Sequence, residues 1–130
     1  MLTKYDPDRA PDPERWLAQR EMHLVDIVQR YHRREQIPLP DERVHAAIHV
    51  MVENQVALGG RTPVHDAVGR LMGEGMSRHD AIHAVGAVLG KHMHRATETG
   101  VPVSREAYYA DVRAITREGW LAEYGPGSGA

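Results

Sequence analysis

Nine of the 130 residues are histidines, and four of these form two pairs at helical spacing, His45-Ala46-Ala47-Ile48-His49 and His79-Asp80-Ala81-Ile82-His83. Residues four apart stand one turn from each other on the same helix face, so both imidazoles of a pair can reach one metal ion. Random placement of nine histidines in a chain this long gives roughly 0.6 such pairs, so two exceed what composition supplies. Glu53 lies one turn beyond His49 on the same ridge, and carboxylates commonly complete imidazole sites. The expected ligand set is therefore His45, His49, Glu53, His79 and His83. Imidazole and carboxylate suit Fe, Zn, Ni, Co or Cu without choosing among them.

Asp80 carries two readings. H-D-x-x-H has the spacing of the zinc-protease H-E-x-x-H motif, in which the acid activates a metal-bound water as a general base. Ser77-Arg78-His79-Asp80 also has the S-x-x-D form of a capping box, which would use that carboxylate at a helix N-terminus. His92 and His94 point to different faces, and only His94 shares a ridge with His79 and His83. His23, His32 and His65 read as surface or interface residues. Gly86-Ala87-Val88-Leu89-Gly90 lets a second backbone or a flat cofactor approach closely. A haem held by His83 or His94 is thus an alternative, and non-covalent, since no C-x-x-C-H is present.

These residues need helices to carry them, and the periodicity supplies helices throughout. Asp12-Pro13 opens a stretch to about Arg34 that Gln19–Glu21 can divide, and Gln36-Ile37-Pro38-Leu39-Pro40 stops it. Asp41 caps a helix to about Leu58, ended by Gly59-Gly60. Its apolar stripe centres on Val44, Ile48 and Val52, with the histidines beside it. Thr62-Pro63 starts a short helix closed by Gly73 and Gly75. Ser77 opens a helix to about Thr97 whose apolar face is Ile82, Leu89 and Met93. Ser104 caps a last helix to about Glu118. No convincing strand appears. The expected fold is all-α, one compact domain of five or six helices, with residues 1–12 as an extended surface arm and 125–130 as a flexible tail.

Composition narrows the partners. With no cysteine there is no disulfide, thiolate ligand or cysteine nucleophile. A formal charge of −2, and seven aromatics with no Phe, leave neither a basic patch nor stacking platforms, so nucleic acid is not an expected partner. No apolar run is long enough for a membrane span or a secretory signal, which makes the cytoplasm the expected location.

The stretch HAAIHVMVENQVALG, followed by EGMSRHDAIHAVGAVLGKH, resembles small uncharacterised bacterial helical proteins grouped as a domain of unknown function. The resemblance spans about Asp41 to His94. It implies no activity; His45, His49, Gln55, His79 and His83 are the residues that match its pattern.

Three functions are therefore expected to compete. The first is a metalloprotein, with one or two ions between the paired-histidine helices; an open coordination position would admit a small-molecule substrate for hydrolysis or oxidation. The di-iron carboxylate bundles require Glu-x-x-His spacings that these histidines lack. The second is a non-enzymatic helical interaction module, and the third a haem protein. A homodimer packed through Gly86 and Gly90 is the expected assembly.

Overall fold

The computed structural model describes residues 2–35 and 41–124. Among them are seven α-helices and no strand: α1 (Pro13–Leu17), α2 (Glu21–Arg34), α3 (Glu42–Ala57), α4 (Val64–Gly73), α5 (Arg78–Thr99), α6 (Arg105–Ala114) and α7 (Arg117–Tyr124), with a 3-10 turn at Gly59–Arg61. No helix among these residues is long and apolar enough to cross a membrane. The proline segment after α2 and the C-terminal tail fall outside the described residues.

The caps account for most boundaries. Asp12, Asp41, Ser77 and Ser104 each accept a backbone N–H three residues on, from Arg15, Val44, Asp80 and Ala107. Each such cap contributes about 1 kcal/mol. α5 ends at Gly100, whose φ of +74° is the left-handed conformation that glycine adopts without strain.

The helix count exceeds expectation because the last expected helix is two. Ile115 is extended (φ −67°, ψ 138°), and the Thr116 hydroxyl accepts the Gly119 N–H at 3.0 Å, opening α7 with a fresh cap. The Arg70 guanidinium donates to the carbonyls of Ile115 (2.6 Å) and Val112 (3.2 Å), so the chain can leave α6 without stranding them.

α3 is the central helix, packed against α1, α2, α4 and α5. Three successive residues near its C-terminal end, each turned about 100° from the last, tie it to different neighbours. Glu53 holds Tyr5 of the N-terminal arm and Arg78 of α5. Asn54 accepts the Trp16 indole N–H of α1 at 2.8 Å. Gln55 accepts the Tyr108 hydroxyl of α6 at 2.7 Å. One apolar cluster joins Trp16, Leu24, Ile27 and Val28 to Ala46 and Val50; the other gathers Val52, Val68, Leu71, Ile82, Val85 and Val112. The helix is thus buried on more than one side, and its expected stripe is misplaced at one end: Val44 is half exposed.

α5 approaches α3 closely at Gly86. A Cβ added there would lie 3.2 Å from Cγ2 of Ile48, and one at Gly90 would lie 3.8 Å from its Cδ1. The small-residue ridge expected to receive a second copy is filled from within the chain, by Ile48. This contact sets the spacing of the two histidine-bearing helices.

Candidate metal centre

Where α2, α3 and α5 meet, one ring nitrogen from each of His32, His45, His49 and His83 lies within 4.8 Å of the other three. His49 Nε2 and His83 Nε2 are 2.8 Å apart, and His79 Nε2 stands 3.1 Å from His83 Nε2 on the outer side. The rings pack edge to face, with centroids 4.7 Å apart for His32–His45 and for His49–His83. His32, His49 and His83 are buried; His45 and His79 are partly so.

Second contacts orient these rings. The Tyr5 hydroxyl has one proton and donates it to Glu53 Oε2 at 2.6 Å. Its 3.2 Å contact with His49 Nδ1 therefore runs the other way, with Nδ1–H donating to the phenolic oxygen. That leaves the His49 Nε2 lone pair facing His83. His32 Nδ1–H donates to the Val28 carbonyl at 2.9 Å, so its Nε2 carries a lone pair as well. Tying one ring nitrogen to an oxygen acceptor and freeing the other is how proteins prepare imidazoles as ligands. The Nε2 atoms of both His32 and His45 are buried with no hydrogen-bond partner. A buried polar atom left in that state costs about 1–3 kcal/mol.

Burial is the first cause of the electrostatics. It pulls His32 and His79 below the usual histidine range, His45 to about 4 and His49 well below. Neighbouring imidazoles push the same way at His45, His49 and His79, since two charged rings cannot share so small a space, though Asp8 raises His79 in part; at His32 the Val28 carbonyl and Glu42 oppose the burial. The rings of these four are neutral near pH 7, as coordination requires. Tyr5 is raised well above its ordinary value by burial and then by Glu53, which keeps its proton in place.

Several expected roles resolve differently. Glu53 is buried beside the centre, but both its oxygens are taken: Arg78 donates to Oε1 at 2.7 Å and to Oε2 at 2.8 Å, and Tyr5 adds a third bond. It orients His49 through Tyr5 instead of facing the ring nitrogens. Arg78 also donates to the Pro7 carbonyl at 3.0 Å, and Asp8 accepts the His79 backbone N–H at 3.1 Å. The N-terminal arm is therefore no mere surface strap: Tyr5 and Pro7 are buried, and the arm closes one side of the centre.

Asp80 donates its N–H to Ser77 Oγ at 3.1 Å, the first half of the capping box; its carboxylate takes no hydrogen bond among the described residues. His94 shares the ridge of His83, yet α5 runs about three turns past the centre there, and His94 is exposed and paired with Glu98. His92 is buried against Asp111 at 2.7 Å. His65 is exposed beside Asp66, and His23 contacts the Leu2 carbonyl.

The residue that spacing missed is His32, expected at the surface and found 1% exposed inside the cluster. The other histidine of α2, His23, does not stand one turn from it, so pair counting passes over it. The available signal was the apolar stripe: His32 follows Val28 by four residues and continues the face of Leu24 and Val28.

Compared with known proteins, the chain matches no family model, no curated protein and no solved structure.

Proposed function

We propose that this is a metal-binding helical protein whose centre is formed by His32, His45, His49 and His83, with His79 beside them as a fifth imidazole. The observation that carries the reading is the convergence of four ring nitrogens, two of them buried and lacking any partner. Zn–N bonds of about 2.0–2.1 Å place tetrahedral ligands roughly 3.4 Å apart, so small side-chain shifts would close this cluster on one ion. Neutral imidazoles suit Zn, Fe, Ni, Co or Cu. Rings in direct edge-to-face contact leave no slot for a macrocycle, which favours a bare ion over haem. Of the residues in the resemblance to the bacterial family of unknown function, the paired histidines go to the centre and Gln55 goes to the scaffold.

A bound ion would supply Lewis acidity or electron transfer. Four imidazoles alone fill a tetrahedral shell, so a purely structural role fits a four-coordinate ion. A catalytic role needs His79, or a place beside it, to be exchangeable.

Elemental analysis of untagged protein after exposure to each metal and desalting tests this. About one equivalent is expected per chain, as for a closed structural site. His32→Ala with His49→Ala should abolish it, and His94→Ala should not. Stoichiometric metal surviving the double change would overturn the assignment. Failure of all five metals to bind would favour a helical interaction module with a histidine-lined core.

A further inference from the structure

An ion at the histidine centre would find no carboxylate among its ligands, because the four converging atoms are all ring nitrogens. The carboxylates that face the rings are either balanced or in solvent. Glu53 is held by Arg78 at 2.7 Å and 2.8 Å, and Glu42, which faces His32, by Arg33 at 2.9 Å. Asp6, Asp8 and Asp80 face His79 on the outer side. Asp6 and Asp8 are exposed there and Asp80 partly so, where water and salt screen them. Tyr5 keeps its proton and adds no phenolate.

Neutral donors bring no charge of their own, so a bound ion keeps its whole charge in a buried setting. His32, His49 and His83 are buried, and so is Nε2 of His45. The cost of burying an ion grows as the square of its charge. Burial already disfavours one positive charge here, since it lowers His32, His45 and His49 against protonation. A second charge costs more than the first. The surroundings therefore select by charge, which imidazole donors do not do by themselves. Of Zn, Fe, Ni, Co and Cu, copper is the metal with an accessible monovalent state in protein sites.

We propose that the centre takes copper as Cu(I) in preference to Cu(II). This deepens the metal-binding reading and rests on it.

Anaerobic protein is loaded with Cu(I) as its acetonitrile complex, or with Cu(II) sulfate, and each affinity is measured by competition with a chelator. Free imidazole in excess supplies the reference, the same donor atoms in water. The protein should raise the ratio of Cu(I) to Cu(II) affinity at least tenfold above that reference. Bound copper, taking one electron from the electrode, should then show a midpoint potential at least about 59 mV above that of copper in imidazole solution. His45→Asp and His45→Asn separate charge from shape, with circular dichroism checking each fold. The first brings an anion to the centre and the second does not, so the ratio should be at least tenfold lower in His45→Asp than in His45→Asn. A potential no higher than in imidazole solution, or equal ratios in the two variants, would overturn the preference while leaving the centre a metal site. Retention of neither copper ion would overturn the metal-binding reading itself, and this inference with it.

Discussion

The Tyr5 hydroxyl donates to Glu53 Oε2 at 2.6 Å, and that single bond dictates which nitrogen His49 offers to the centre. Because the phenolic proton is spent, His49 must present Nδ1–H to Tyr5 and its Nε2 lone pair to His83. Tyr5→Phe removes both contacts while keeping the ring in place. The buried His49 Nδ1–H then lacks an acceptor, and Glu53 loses one donor. Stability should fall by about 1–3 kcal/mol, the cost of stranding buried polar groups. Metal affinity should fall by about 10–100-fold, as when an outer partner of a ligand histidine is lost. Urea unfolding and competition with a chelator measure the two effects.

Glu53 was a candidate ligand by spacing, and its engagement by Arg78 separates ligand from scaffold. Both side chains are nearly sealed, at 1% and 5% exposure. Arg78→Met would strand the carboxylate and should cost about 3–5 kcal/mol. Glu53→Gln keeps a hydrogen-bonding shape and should cost less, yet still leaves a buried guanidinium without its counter-charge. The Gln variant should retain the same metal stoichiometry as the parent protein. Loss of the ion from a Glu53→Gln protein that circular dichroism shows to be folded would return Glu53 to the ligand set.

The helices were legible because their ends are chemical: Asp12, Asp41, Ser77 and Ser104 all cap where spacing placed them. Thr116 is the same kind of signal, masked by Val112 and Ile115, whose period runs through the break. The two histidine pairs marked α3 and α5 as the site helices. Which side chains would meet was less legible, because that depends on how three helices cross. His32 enters from a helix whose other histidine, His23, is too far along it to pair, and Glu53 is claimed by Arg78, 25 residues away. Tyr5, 44 residues from His49, belongs to an arm whose prolines say nothing of burial. Long-range polar pairing leaves no periodic trace.

The buried imidazoles give metal-free protein a defined acid response. An unfolded chain titrates its histidines near pH 6.5. In the fold, burial holds His32, His49 and His79 below that, and His45 at about 4. Above pH 6.5 both states are neutral and stability is fully present. Between about 6.5 and 4 the unfolded chain takes up protons that the fold refuses, and stability falls. Each such histidine contributes a slope of about 1.4 kcal/mol per pH unit. Carboxylates held low, such as Asp26 by Arg43 and Glu42 by Gln29 and Arg33, add to the decline only at its acid end, as pH falls through the ordinary carboxylate range of about 4. Urea unfolding from pH 7.5 to 4.5 should show the decline, and His45→Phe should make it shallower. A flat profile would mean the imidazoles are solvated.

The spacing of α3 and α5 should control the centre more than it controls the fold. Gly86 precedes no turn and needs no unusual backbone; its role is to let Ile48 approach, one residue before His49 and one turn after His83 in the facing helix. A leucine there must displace Ile48, and overpacking of this kind costs about 1–3 kcal/mol. The same displacement widens the 2.8 Å gap between His49 Nε2 and His83 Nε2. Metal coordination tolerates far less movement than apolar packing, so Gly86→Leu should lose at least tenfold in metal affinity, by chelator competition, while remaining helical. Gly90 is the control. A Cβ there meets Ile48 at 3.8 Å, an ordinary contact, and glycine inside a helix is about 0.8–1 kcal/mol less favourable than alanine. Gly90→Ala should therefore raise the melting temperature and leave metal affinity unchanged. If Gly86→Leu binds metal as tightly as the parent protein, the helix spacing does not set the ligand geometry.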